Sequence, residues 1–274
     1  MRRMRVAVVG HVEWIEFVPV EHVPAPGEIV HAADTWQEAA GGGAVAAVQL
    51  EKLAESVVLF AAFGDDELGR RAKTELEERG IEVHGSFIDV PQRRGFTFVD
   101  ETGERTITTI GLRLNPRGHD DSLPWHELAR CDAVYFCAGD VDALRNARRA
   151  KVLVATARVL ETLRRGAVEL DALVGSGKDE SERYRVGDLD PAPRLVVTTS
   201  GALGGWAQPG GPFAGGSSPR PVVDSYGAGD CFAAGLAFAL GAKLDTADAL
   251  TFAARCGAGA LGGRGVHAEA IALP

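Results

Sequence analysis

The chain has 274 residues, 46% hydrophobic and 24% charged, with 38 acidic against 29 basic side chains and a formal net charge of -9. That acidic balance excludes a sequence-independent nucleic-acid binder, which needs a basic face to displace counterions from phosphate. No apolar run approaches the roughly 18 residues needed to cross a bilayer, and Cys131, Cys137, Cys231 and Cys256 include no metal-spaced pair, so a cytoplasmic protein with no membrane contact and no structural metal is expected.

The cationic start at residues 1–5 leads into too short an apolar stretch for a signal-peptide core. The length suits one α/β domain spanning 1–274. Glycine is in excess, 34 residues, 16 of them between 201 and 265, which marks either low complexity or backbone that turns tightly or approaches a ligand.

In chain order, 5–9 reads as a buried strand ending at Gly10, followed by a loop with Pro19, Pro24 and Pro26 and a strand near 29–33. The triplet Gly41-Gly42-Gly43 opens a helix over 44–53. A strand over 57–63 leads to Gly64-Asp65-Asp66 and an amphipathic helix that runs to Arg79 and stops at Gly80. Segments 95–99 and 105–110 alternate around Asp100-Glu101-Thr102-Gly103, the pattern of a hairpin. Pieces 29–37 and 95–110 therefore predict a small β lid on one edge of the main sheet. Beyond Pro124 strand and helix alternate again: strands at 133–137, 151–155, 170–174 and 194–199, with helices ending near 150 and 165. A glycine- and proline-rich loop or hairpin over 201–221 precedes two apolar helices, 228–240 and 246–261. This alternation predicts a doubly wound α/β sheet flanked by helices.

The sharpest local signal is Asp224-Ser225-Tyr226-Gly227-Ala228-Gly229-Asp230 at the start of an apolar helix. Small residues there leave backbone N–H groups unpaired and unshielded, able to cradle a phosphoryl group. Asp230 in the first turn is an acceptor-only carboxylate beside that cradle, the arrangement that takes a proton from an attacking hydroxyl. A turn with ordinary helix capping reads equally well from these residues alone.

The same heptapeptide resembles the C-terminal signature of the ribokinase-like, or PfkB, carbohydrate kinases. The resemblance extends over nearly the whole chain. Ala40-Gly41-Gly42-Gly43-Ala44 with Gly64-Asp65-Asp66-Glu67-Leu68-Gly69 is similar to the first family signature, Pro24-Ala25-Pro26-Gly27-Glu28 to an upstream element, and Thr199-Ser200-Gly201-Ala202-Leu203-Gly204 to the nucleotide-site turn. It implies an ATP-dependent kinase of a sugar or sugar-like hydroxyl, with Asp230 as base and Gly227, Ala228 and Gly229 as anion hole. Thr199, Gly201 and Gly204 would border ATP, and Gly41, Gly42 and Gly43 the acceptor. It also implies Mg²⁺ organised through Glu180, potassium at Asp224, and pairing of two subunits through the lid.

The departures fall mainly on the acceptor side. Ile15 and Val45 stand where the family has a sugar-gripping aspartate and asparagine, and Gly177 replaces the asparagine of the magnesium motif. Glu13, Glu16 and Gln37 are candidate replacements for the lost sugar contacts, though acidic loop residues can equally be solvated. Glu180 reads either as magnesium-organising or as the start of a surface helix, and Arg93 and Arg94 either as anion-binding or as a solvated strand edge. A nucleoside kinase, suited by Trp14, Ile15 and Val45, and a non-catalytic ligand-binding protein with the same fold remain as alternatives.

Overall fold

The computed structural model describes residues 4–274, so the first three residues of the cationic start lie outside it. The first half of the chain runs β1 (Arg5–Val9), β2 (Glu13–Pro19), β3 (Trp36–Ala40), α1 (Gly42–Glu51), β4 (Ser56–Gly64), α2 (Glu67–Glu78), β5 (Glu82–Ile88), β6 (Arg94–Val99) and β7 (Arg105–Ile110). The second half runs β8 (Ala133–Phe136), α3 (Val141–Ala147), β9 (Leu153–Thr156), α4 (Leu160–Gly166), β10 (Ala172–Ser176), β11 (Val196–Thr199), β12 (Gly205–Gln208), β13 (Gly211–Phe213), α5 (Ala228–Gly241) and α6 (Thr246–Ala260).

Among the described residues the main sheet has the order β13-β12-β11-β10-β9-β8-β1-β4-β5. It is parallel from β5 to β11, and the β12–β13 hairpin adds an antiparallel edge. Strands buried on both faces explain the uninterrupted apolar runs of β1, β4 and β8. The chain leaves β1 toward β4 on one side and later returns to β8 on the other. Between these lies the switch point where ligands of such sheets bind, at the carboxyl ends of the strands. Helix α5 packs across β8, β9 and β10 and aims its N-terminus at that edge.

A second sheet has the order β3-β2-β6-β7. A small sheet was expected, but its composition differs from the sequence reading. No strand occupies 29–33; the edge strand is Trp36–Ala40, and Glu13–Pro19, read as loop, lies at the centre beside β6. Ile15, fully buried, fills the space above Gly95, where an added Cβ would lie 2.1 Å from the Ile15 Cδ1. Strand β5 (Glu82–Ile88), parallel to β4, has no counterpart in the sequence reading, and the boundaries of the elements that were read shift by a few residues.

The glycine-rich segment before α5 is packed rather than loose. A Cβ on Gly215 would lie 2.3 Å from the Ala202 carbonyl oxygen, and one on Gly216 would lie 2.2 Å from that of Ala254 in α6. Phe213 stacks on Phe232 of α5, anchoring the hairpin to the helix.

Candidate active site

Gly227 caps α5 in a left-handed conformation, φ 76°, which a residue with a side chain adopts at a cost. A Cβ there would also strike the Val45 side chain at 2.7 Å. Val45 is therefore packed beneath Gly227 rather than forming an open pocket wall, and it is almost fully buried. Asp224, also buried, shapes this loop by accepting from the amides of Tyr226 and Gly265, both at 2.8 Å. The Tyr226 hydroxyl in turn accepts from the Gly41 amide at 2.9 Å, joining the loop to the glycine triplet.

Asp230 sits in the first turn of α5, 7% exposed. The Tyr135 hydroxyl at the end of β8 donates to its Oδ1 at 3.0 Å. Arg158, just beyond β9, reaches both carboxylate oxygens through Nη1, at 3.2 and 3.1 Å. Burial pushes the Asp230 carboxyl up, but the Arg158 guanidinium and these hydrogen bonds outweigh it and hold the group below its ordinary value. The triplet comes close on the other side: a Cβ on Gly42 would lie 3.0 Å from the Asp230 Oδ1. Gly42 also donates its amide to the Nε2 of His11 at 3.3 Å, which leaves the ring proton of a neutral His11 on Nδ1. Burial and the nearby Arg113 push His11 down to about 3, so it is neutral near pH 7.

On the lid side Glu13 is buried and pairs with Arg93, Nε to Oε1 at 3.0 Å. Burial raises the Glu13 carboxyl, with Arg93 and Arg113 opposing. Glu16 does not join this group. Its register partner is Gln37, which places it on the face of β2 that carries Trp14, opposite Glu13. Trp14 donates to the Gln37 Oε1 at 3.1 Å and lies under Arg71 of α2.

The nucleotide candidates gather at the end of β11. Thr199 donates its hydroxyl to the Gly175 carbonyl at 3.3 Å and accepts from the Gly177 amide at 2.8 Å through its own carbonyl. Gly201 and Gly204 hold the following turn at positive φ, 61° and 89°, which favours glycine. Gly177, Asp179 and Glu180, from the segment 177–180 aligned with the magnesium motif, line a cleft of about 410 Å³ together with Ser176, Thr198 and Tyr184. There the Glu180 side chain is 78% exposed and pairs with Arg183, while Asp179 accepts from the Ser181 amide. These hard oxygens in a wet cleft fit an ion held through its own waters.

The structure brings forward residues that sequence reasoning passed over: His11, Tyr135, Arg158, Glu182 and Arg113. Glu182, buried, accepts from the Arg158 Nε at 2.8 Å and from the Ser176 amide at 2.9 Å. It, rather than Glu180, connects to the Asp230 carboxylate. No local motif surrounds Arg158; its only sequence signal is its place just after a strand that faces the switch point.

The pfkB family of carbohydrate kinases matches this chain over residues 3–165 and 162–271. An ATP-dependent ribose-1-phosphate kinase of Halopiger xanaduensis is 28% identical over 294 residues, covering 98% of this chain and 96% of the relative. Among solved structures, a microbiome-derived acarbose kinase superposes with a TM-score of 0.75 at 25% identity, covering 97% of this chain and 95% of that one. The ribokinase of Giardia lamblia superposes with a TM-score of 0.76 at 17% identity, covering 97% and 95%, a likeness of fold alone. Matching nearly end to end, the chain belongs to the pfkB family of carbohydrate kinases.

Proposed function

We propose that the protein transfers the γ-phosphoryl group of ATP to a hydroxyl of a phosphorylated sugar, with Asp230 as the base. The amides of Gly227, Ala228 and Gly229 form the anion hole, and Thr199, Gly201 and Gly204 border the nucleotide. ATP-dependent phosphorylation of a sugar or sugar-like hydroxyl is the activity expected of its family. The anionic acceptor is the finer reading, and one observation carries it: the Arg93 guanidinium is held on the lid side of the pocket, 3.0 Å from the buried Glu13 carboxylate, with the charge of Arg113 also acting on Glu13 and His11.

A neutral sugar has little use for two guanidinium groups, whereas a phosphate forms charge-assisted hydrogen bonds with them. The Halopiger relative, a ribose-1-phosphate kinase, supports the same acceptor class. Ile15 and Val45, which would suit a flat base, are spent in packing against Gly95 and Gly227, which favours a sugar phosphate over a nucleoside. A non-catalytic binder has no use for a buried carboxylate held ionised at a helix N-terminus, which favours an enzyme.

Mg²⁺ accompanying ATP would be met by Glu180 and Asp179 through water. Potassium at Asp224 would use the lone pairs left by its two amide contacts. The lid pairs two subunits through β7, every residue of which is exposed. A cytoplasmic location suits an enzyme that draws on ATP; no helix of the described residues is long and apolar enough to cross a membrane.

ADP release measured across pentose and hexose phosphates, the matching free sugars and nucleosides tests the reading. Turnover of a sugar phosphate at least about 10²-fold above its free sugar is expected, the scale of a lost charge-assisted contact. Equal or better turnover of free sugars or nucleosides would overturn it.

A further inference from the structure

Arg158 stands between three groups. Its Nε is bonded to Glu182, its Nη1 to both oxygens of Asp230, and its Nη2 lies 3.6 Å from where a Cβ on Gly229 would sit. The guanidinium thus overlies the middle of the candidate anion hole while neutralising the candidate base. A carboxylate held in this way is fully ionised but has its oxygens occupied, so it is poorly placed to take a proton. A phosphoryl group arriving at the Gly227–Gly229 amides brings more negative charge than one carboxylate and faces the same guanidinium.

We propose that Arg158 is a catalytic residue that passes from Asp230 to the transferring phosphoryl group, so that arrival of the donor itself frees the base. The proposal rests on the kinase reading above. In the step, the acceptor oxygen forms its bond to the γ-phosphorus while the bond from that phosphorus to the β–γ bridging oxygen breaks. The bridging electron pair leaves with ADP, and the hydroxyl proton goes to the Asp230 carboxylate. Arg158 stays protonated and transfers no proton in this scheme; it stabilises charge on the equatorial oxygens of the group in flight. Glu182 is the positioning residue that keeps the guanidinium on its pivot as Nη1 changes partner. Being buried and also tied to the Ser176 amide, it fixes the Nε end.

The other groups facing Asp230 do not offer a substitute. Tyr135 donates one hydrogen bond, His11 is neutral, and Cys137 has its thiol pushed up by burial. Glu13 is an acid whose charge is met by Arg93 and Arg113 on the lid side. Helix α1 approaches through Gly42, which has no side chain.

Arg158→Met and Arg158→Lys, with Glu182→Gln as a milder variant, test this through three readouts: kcat, the ratio of ATP to ADP affinity by calorimetry, and the pH profile of kcat/KM for the acceptor. In R158M the account expects kcat down about 10²- to 10³-fold, the scale of losing one donor to a developing oxyanion. ADP affinity should be unchanged and ATP affinity at least about tenfold weaker, because only ATP brings the γ-phosphoryl to the guanidinium. Removing a positive charge beside Asp230 favours its protonated form, so the acid limb of the profile should move to higher pH. R158K should recover part of kcat and most of the limb position, and E182Q should lower kcat with ADP binding intact. An unchanged ATP:ADP ratio in both Arg158 variants overturns the proposal, as does a lower kcat with an unmoved acid limb, which marks a structural role. If the wild type phosphorylates no acceptor, the kinase reading is what fails, and the ATP:ADP ratio still decides whether Arg158 meets the γ-phosphoryl. If R158M does not fold, R158K decides on the same three readouts.

Discussion

The Tyr135 hydroxyl donates to the Asp230 Oδ1 at 3.0 Å, across 95 residues of sequence, joining the end of β8 to the first turn of α5. The bond orients the carboxylate and favours its ionised form. Tyr135→Phe removes one neutral donor while keeping the ring in its buried place. A net loss of about 1 kcal/mol is expected, or roughly a fivefold fall in kcat, with a small upward move of the acid limb of the rate profile. Steady-state kinetics from pH 5 to 8 check both.

Arg93 tests the acceptor reading. Arg93→Gln withdraws one guanidinium from the lid side of the pocket and should raise KM for a sugar phosphate about 10- to 100-fold, the range of a charge-assisted contact, with less effect on kcat. The ratio of sugar-phosphate to free-sugar turnover should fall by a similar factor. Glu13 then loses its partner, so Glu13→Gln in the same chain controls for an unpaired buried acid.

His11 ties stability to pH. Its ordinary value of 6.5 is lowered to about 3 by burial and the charge of Arg113, so the unfolded chain takes up a proton that the folded one refuses. Stability is therefore complete above pH 6.5 and is lost as pH falls through the window toward 3. At pH 5 the penalty is up to about 2 kcal/mol. His11→Asn, whose side-chain oxygen can still accept from the Gly42 amide, should show a smaller fall in denaturation midpoint between pH 7 and 5 than the parent. Parallel falls in the two proteins would contradict this.

The lid edge tests subunit pairing. Strand β7 offers unpaired backbone groups along one side, and Ile107 and Ile110 are 40% and 45% exposed. Light scattering after size-exclusion chromatography should give a dimer for the parent and a monomer for Ile107→Glu. A monomeric parent would contradict the pairing.

Much of the scaffold was legible because short continuous apolar runs rich in β-branched residues and bounded by turn residues suit strands buried on both faces, as in Val6–Val9 and Val57–Phe63. The strand Glu13–Pro19 was missed because two glutamates and a proline mask its alternation, and only register with β3 and β6 shows that Glu13 and Ile15 turn one way and Trp14 and Glu16 the other. The cradle at Gly227–Asp230 was readable because its residues are contiguous. Arg158 was not, since its partners lie 24 and 72 residues away. Glu180 and Glu182 differ by two places in one 3-10 turn, and a rotation of roughly 120° per residue turns the first to solvent and the second inward.

The central claim is that Asp230 takes the proton of the acceptor. Asp230→Asn keeps the shape of the side chain and removes the base. Measured on the best acceptor at saturating ATP, its kcat should fall at least about 10²-fold, the contribution of general base catalysis, while calorimetry shows ATP still bound. A variant that binds ATP and turns over within about tenfold of the parent would contradict the account.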